Sequence, residues 1–175
     1  QPLPEYGYCD EPGHWDHWPS GFVSTWPDEG SANGRVVVDE GDMMFPFKMY
    51  VSSPIVLEIR DGFIQSVEGG FEAKYLRKHM ESYRDPGAYG VSHLGWGLNR
   101  RARWDAMNFY DKADFNGTEL RAFAGNFLYS TGANETAGRH TLGHFDLPLR
   151  NCTVMLDGDL VVDTGVLHRS EEHTS

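Results

Sequence analysis

Ile55-Val56-Leu57-Glu58-Ile59-Arg60-Asp61-Gly62-Phe63-Ile64-Gln65-Ser66-Val67-Glu68-Gly69-Gly70 is the stretch that decides the fold. Ile55, Leu57 and Ile59 stand two residues apart, and side chains at i and i+2 share one face of a strand, so this half reads as a strand with an apolar face. Phe63 to Val67 reads the same way. Asp-Gly between such halves favours a tight hairpin, because both central positions of that turn take positive φ. Gly69-Gly70 ends the hairpin. Outward from it, residues 35–38 (Arg-Val-Val-Val) form a short β-branched strand, and residues 154–156 and 160–162 flank a second Asp-Gly turn at Asp157-Gly158. Residues 89–98 hold Val91, Leu94 and Trp96 between glycines and read as a strand running into a loop. Residues 140–149 alternate as a strand ended by Pro148.

Helices are fewer. Residues 71–83 place Phe71, Tyr75, Met80 and Tyr83 among Glu and Lys, an amphipathic pattern closed by Asp85-Pro86-Gly87. Residues 104–113 and 118–128 have helical composition, with Thr118 as an N-cap. The expected class is therefore α+β, a mixed, largely antiparallel sheet with helices on one face. The two Asp-Gly hairpins do not recur at a fixed period, which excludes a solenoid.

At 175 residues the chain suits a single domain spanning 1–175, and 39% hydrophobic with five Trp and ten Phe is too apolar for a disordered one. With 15 Lys+Arg against 26 Asp+Glu the net charge is −11. That balance excludes a protein that works by neutralising phosphates, so a nucleic-acid partner is not expected. No run approaches the ~20 apolar residues that span a bilayer, no membrane association is expected, and no signal segment opens the chain. Cys9 and Cys152 lack a CxxC spacing and read as inert or buried thiols of a reduced, cytoplasmic protein. Asn-x-Thr triplets at Asn116, Asn134 and Asn151 carry no weight without a secretory signal. The opening Gln1-Pro2-Leu3-Pro4 reads as an extended linker, so the chain is expected to be the back half of something longer.

Residues 9–34 carry Pro12, Pro19 and Pro27 and four glycines among their Trp and His, which argues for a long loop without helix or central strand. A loop so long and so rich in rings is expected to be functional. It contains His14 and His17. Further along, His93 precedes Gly95 and Gly97, and His144 stands two before Asp146. His79, His168 and His173 sit among charges or in a polar tail. In a strand, His144 and Asp146 would face the same way, presenting an imidazole beside a carboxylate. Two His and one carboxylate on one face of an octahedron form a common mononuclear metal site with three positions left open, and His93 is the leading third ligand.

The segments around these residues resemble a known fold. Gly143-His144-Phe145-Asp146-Leu147-Pro148, followed by Leu156-Asp157-Gly158-Asp159-Leu160-Val161-Val162, resembles the C-terminal segment of the thermophilic metallo-aminopeptidases. Gly90-Val91-Ser92-His93-Leu94-Gly95-Trp96-Gly97 resembles their strand that carries a metal-binding Glu, here replaced by His93. Gly21-Phe22-Val23-Ser24-Thr25-Trp26-Pro27 resembles their Glu-Val-Phe-Thr segment, with Phe22 where a second Glu stands. A dinuclear site needs bridging carboxylates to offset two ions. The pairing of Ser-His-Leu-Gly with His-x-Asp is instead similar to the 2,5-dihydroxypyridine 5,6-dioxygenases of nicotinic-acid degradation, iron(II) enzymes built on that fold.

The resemblance implies the C-terminal domain of the metallo-aminopeptidase-like fold, iron(II) held by His93, His144 and Asp146, and oxidative opening of 2,5-dihydroxypyridine with O2 to N-formylmaleamate. It implies a further active-site His in the loop before the first strand, placed at His17 with His14 as the other choice. A hydroxyl near the substrate maps to Ser130, and Glu5 is a third candidate. Trp15, Trp18, Trp26 and Phe22 either stack on the flat ring or pack the loop. Members of the family are about twice this long and begin with an α/β domain, so the expected partners are that missing half, or further copies in a homo-oligomer. The rival readings are a metallo-aminopeptidase and a non-catalytic oligomerisation half.

Overall fold

The computed structural model describes residues 2–14 and 16–168; Trp15 and His173 lie outside the described residues. In chain order the elements are β1 (Leu3–Glu5), β2 (Phe22–Thr25), β3 (Gly34–Val38), β4 (Met43–Met44), β5 (Met49–Tyr50), β6 (Ile55–Arg60), β7 (Phe63–Gly69), α1 (Phe71–Ser82), β8 (Val91–Gly97), α2 (Thr118–Ala122), β9 (Phe127–Thr131), β10 (Phe145–Leu149), β11 (Val154–Leu156), β12 (Asp159–Asp163) and β13 (Val166–Leu167). The pairings β3–β6, β4–β5, β6–β7, β11–β12 and β12–β13 are all antiparallel. The class is mixed and mostly antiparallel, with few helices, as the alternation implies.

Two compact units divide the chain. The first comprises Gln1–Leu3, Ser24–Gly95 and Leu128–Leu149; the second comprises Pro4–Val23, Trp96–Phe127 and Arg150–Ser175. In the first, β6 and β7 pair through a turn in which Asp61 (φ 50) and Gly62 (φ 77) both take positive φ, as the Asp-Gly signal requires. Ile55, Leu57 and Ile59 point into the core with Ile64 and Val67. Helix α1 packs on β6 and β7, burying Ala73, Leu76 and Met80 completely. The same unit holds residues 24–25, 91–95, 128–131 and 145–149, parts of four strands that follow one another in the order β2-β8-β9-β10 of a five-stranded sheet. This sheet positions the site.

Glu72, on the first turn of α1, is buried and accepts hydrogen bonds from the Ser52 amide (3.1 Å), the Ser52 hydroxyl and the Ser53 hydroxyl (3.1 Å). The Ser52 hydroxyl foremost holds its carboxyl at about 2, well under the ordinary 4.5. In the second unit, buried Asn126 accepts from the Gly97 amide (2.5 Å) and donates to Leu120 (2.5 Å) and Arg121 (2.9 Å) carbonyls, tying the end of β8 to α2. No helix among the described residues is long and apolar enough to cross a membrane.

Several expectations are corrected. Residues 9–34 do contain a strand, β2, because Pro19 and Pro27 flank it instead of interrupting it, and Phe22 and Ser24 alternate inward. The buried face of α1 is Ala73, Leu76 and Met80, whereas Phe71 and Tyr75 are exposed and stack on one another. Residues 104–113 and 118–128 give only a 3-10 turn, Trp104–Asn108, and the short α2, since residues 127–131 turn into β9. Thr118 is the first helical residue and Gly117 the cap; the Thr118 amide and hydroxyl both go to Asn116 Oδ1. The strand expected over 140–149 begins at Phe145 and runs through Pro148 to Leu149. Of the inert or buried alternatives for the cysteines, burial does not hold for Cys9, an exposed free thiol.

Candidate metal centre

The centre is assembled in the first unit from two strands. His93 is the third residue of β8, Asp146 the second of β10, and His144 immediately precedes β10. His93 Nε2 lies 3.3 Å and His144 Nε2 3.8 Å from Asp146 Oδ1, and the two imidazole centroids are 5.4 Å apart. One ligand atom from each of the three falls within 4.8 Å of the others. Asp146 is buried, His93 nearly so, and His144 is open to one side. Two imidazole nitrogens turned on one buried carboxylate oxygen make an arrangement that a cation among them satisfies. Two nitrogens and one carboxylate suit a single divalent transition ion, and the one carboxylate falls short of what two ions require.

Close backbone packing explains how His144 is delivered. A Cβ on Gly132, at the end of β9, would stand 1.4 Å from the Gly143 carbonyl oxygen, so only glycine lets the chain beside His144 approach there. Arg139 braces the same loop. Its guanidinium, 10% exposed, donates to the Gly132 carbonyl (2.8 Å) and to the Val91 carbonyl, pairs with Glu29, and lies over the Phe63 ring at 5.5 Å. Gly90 leaves room for it, since a Cβ there would meet Arg139 Cζ at 2.4 Å. Around His93, the Trp26 ring packs at 5.8 Å with the two planes inclined at 64°. Ser130, on β9, is fully buried; its hydroxyl accepts from the His93 amide (2.8 Å) and donates to the His93 carbonyl (2.8 Å).

His17 lies in the second unit, in a separate group with Glu5 and Asp16. His17 Nδ1 is hydrogen-bonded to Glu5 Oε2, and the His17 ring packs on buried Phe22 at 5.4 Å. Burial raises the Glu5 pKa and Asp16 adds to this, while the His17 partner opposes it. Asp16 anchors the group: its Oδ2 accepts from the Tyr6 and Gly7 amides (2.8 Å each) and its Oδ1 from the His17 amide (2.6 Å). Burial works against that charge, but the three amides outweigh it and hold the carboxyl low. His14 makes an exposed pair with Asp10 (2.6 Å), whose hydrogen bond raises the imidazole pKa. Of the four aromatic residues expected to cluster, Trp26 stands by His93, Phe22 by His17, and Trp18 is exposed.

Asp16 and Arg139 went unread in the sequence. Both act on backbone groups, which leave no pattern of residue types, although an Asp directly before His17 is a local turn signal.

The chain matches the family 2,5-dihydroxypyridine 5,6-dioxygenase over residues 1–169. It is 54% identical over 170 residues to the curated 2,5-dihydroxypyridine 5,6-dioxygenase of Pseudomonas putida KT2440, covering 96% of this chain and 49% of that protein. A solved structure of 2,5-dihydroxypyridine dioxygenase from Pseudomonas putida KT2440 superposes with a TM-score of 0.93 at 53% identity, over 97% of this chain and 50% of that one. The chain thus spans about half the length of the relatives it matches. On a match that runs nearly end to end, the chain belongs to the 2,5-dihydroxypyridine 5,6-dioxygenase family.

Proposed function

We propose that this chain carries the iron(II) centre of an extradiol-like dioxygenase that opens 2,5-dihydroxypyridine between C5 and C6 with O2, giving N-formylmaleamate. The observation that carries the reading is the meeting of His93, His144 and Asp146 within 4.8 Å. Iron(II) bound there would supply the redox partner that lets O2 react with an electron-rich ring. Asp146 contributes the one negative charge, so a divalent ion keeps a net positive charge toward the ionised ring hydroxyl. His144 stands on the open side of the centre, and Trp26 adds an apolar ring beside His93. His17 is proposed as the proton carrier. Glu5 at Nδ1 fixes the tautomer in which Nε2 takes the hydroxyl proton and later returns it. Asp16 holds His17 by its amide and the two residues after Glu5 by theirs.

The proposal treats 1–175 as one catalytic domain with the metallo-aminopeptidase-like fold. It includes a homo-oligomer, or a further domain, completing the pocket. Work in the reducing cytoplasm is supported by neither Cys9 nor Cys152 standing in a disulfide among the described residues.

The test is anaerobic iron(II) loading, then oxygen uptake with 2,5-dihydroxypyridine, set beside amine release from an aminoacyl chromogenic substrate. Uptake of one O2 per ring consumed, without amine release, is expected. Amine release in place of oxygen uptake would assign the site to peptide hydrolysis. Iron-loaded protein that does neither would overturn the reading of 1–175 as a catalytic domain by itself.

A further inference from the structure

We propose that Glu5, Asp16 and His17 form a second cation site, distinct from the group of His93, His144 and Asp146, which takes a divalent ion of the zinc type and thereby silences the His17 proton carrier. The silencing, though not the binding, rests on the reading of His17 as that carrier. Glu5 and Asp16 offer carboxylate oxygens and His17 an imidazole nitrogen, with one ligand atom from each within 4.8 Å of the others. Such a set, three protein ligands of mixed nitrogen and oxygen with a fourth position left to water, is what an open zinc site uses. All three residues lie in the second unit, and the side chains of Glu5 and His17 keep 13% and 27% of their surface exposed, so an ion can reach them from water.

Asp16 is the fixed ligand. A carboxylate has about four lone-pair positions; the Tyr6 and Gly7 amides take two at Oδ2, and the His17 amide takes one at Oδ1. The position remaining on Oδ1 is the one an ion uses. Burial first, and Asp16 with it, raise the Glu5 carboxyl against the pull of His17. A divalent ion between the two carboxylates offsets both, because it pairs with their negative charges where water is scarce. The ion takes the place of the proton between Glu5 Oε2 and His17 Nδ1, and those two side chains part to admit it. With Nδ1 on the ion, the neutral ring carries its proton on Nε2 and cannot accept another there. The nitrogen that would take the ring hydroxyl proton is closed, while His93, His144 and Asp146 are left as they were.

The experiment loads the whole chain anaerobically with iron(II) and titrates zinc(II) against a chromophoric chelator. Zinc and iron per chain are counted after gel filtration, and oxygen uptake with 2,5-dihydroxypyridine is followed in parallel. Wild type is set beside Glu5→Gln and His17→Gln, with His14→Ala and Cys9→Ser as controls on the exposed His14–Asp10 pair and the exposed thiol, and with the fold checked by circular dichroism. One zinc per chain is expected with iron retained, and oxygen uptake should fall in step with zinc bound. Loss of a residue that merely supports a ligand weakens metal binding about 10- to 100-fold, so Glu5→Gln and His17→Gln, which lose a ligand outright, should each weaken zinc at least about tenfold. His14→Ala and Cys9→Ser should bind zinc as wild type does. Zinc affinity unchanged in folded Glu5→Gln or His17→Gln, or lost in either control, would overturn the site, as would zinc that enters only as iron leaves. If Glu5→Gln does not fold, His17→Gln decides by the same criterion. Bound zinc at undiminished oxygen uptake would overturn the silencing. Iron-loaded wild type that takes up no oxygen would instead remove the dioxygenase reading, and the zinc count would still decide the site.

Discussion

Arg139→Ala tests whether the scaffold beneath the site is held as described. The guanidinium is 10% exposed and donates to the carbonyls of Gly132 and Val91. Truncation leaves two carbonyls without their charged donor and removes the group lying over Phe63. Hydrogen bonds to a charged group contribute about 1.5–3 kcal/mol each, and a cation over an aromatic ring about 0.5–1 kcal/mol, so a loss of about 3.5–7 kcal/mol is expected. The Glu29 pair, 40% exposed on the carboxylate side, adds little because water screens it. Urea unfolding should show a lower midpoint at unchanged slope, and the melting temperature should fall by roughly 10–20 °C. Arg139→Lys keeps the charge but not the fork and should lie between the two. Gly90→Ala should reproduce part of the loss, since its new Cβ would meet the guanidinium. A loss under about 1 kcal/mol in Arg139→Ala would refute the bracing role.

Three further outcomes follow from individual contacts. Glu72 titrates in the folded protein at about 2, below its ordinary 4.5, so its ionised form favours folding above 4.5 and that contribution disappears as pH falls from 4.5 toward 2. Acid unfolding of Glu72→Gln should be flatter across that window, and an unchanged slope would contradict it. Gly132→Ala forces a Cβ into the Gly143 carbonyl at φ +100°, and should cost more than about 3 kcal/mol in denaturant melts while weakening iron binding through displacement of His144. His17→Ala should abolish oxygen uptake while sparing the metal, whereas His14→Ala, which removes only an exposed pair with Asp10, should leave both as they are; the reverse result would exchange their roles.

What the sequence made legible follows period and turn chemistry. The β6–β7 hairpin was readable because Ile55, Leu57 and Ile59 alternate up to an Asp-Gly turn that needs positive φ. The i, i+2 spacing brought His144 and Asp146 together even though β10 starts between them, because one extended residue before a strand preserves the alternation. The face of α1 was misread because Phe71 and Tyr75 outweigh Ala73 and Leu76 in any count of apolar bulk, while packing against β6 and β7 favours the small and branched side chains. Strand β2 was hidden by flanking prolines. His93 was legible as the leading third ligand from its place before Gly95 and Gly97, and the family resemblance points to the same residue. The supports of the site stayed invisible for a common reason. Arg139 and Asp16 bind backbone amides and carbonyls, which every residue owns, so no pairing of residue types marks them, and Ser130 was reached only through the family resemblance.

The central claim is that three side chains hold one iron. X-ray absorption at the iron edge of anaerobically loaded protein, with His144→Ala and Asp146→Ala alongside, tests it most directly. The account predicts one iron per chain with imidazole scattering from two histidines, and loss of stoichiometric iron in both variants. An iron environment without imidazole, or full iron retained in His144→Ala, would contradict it.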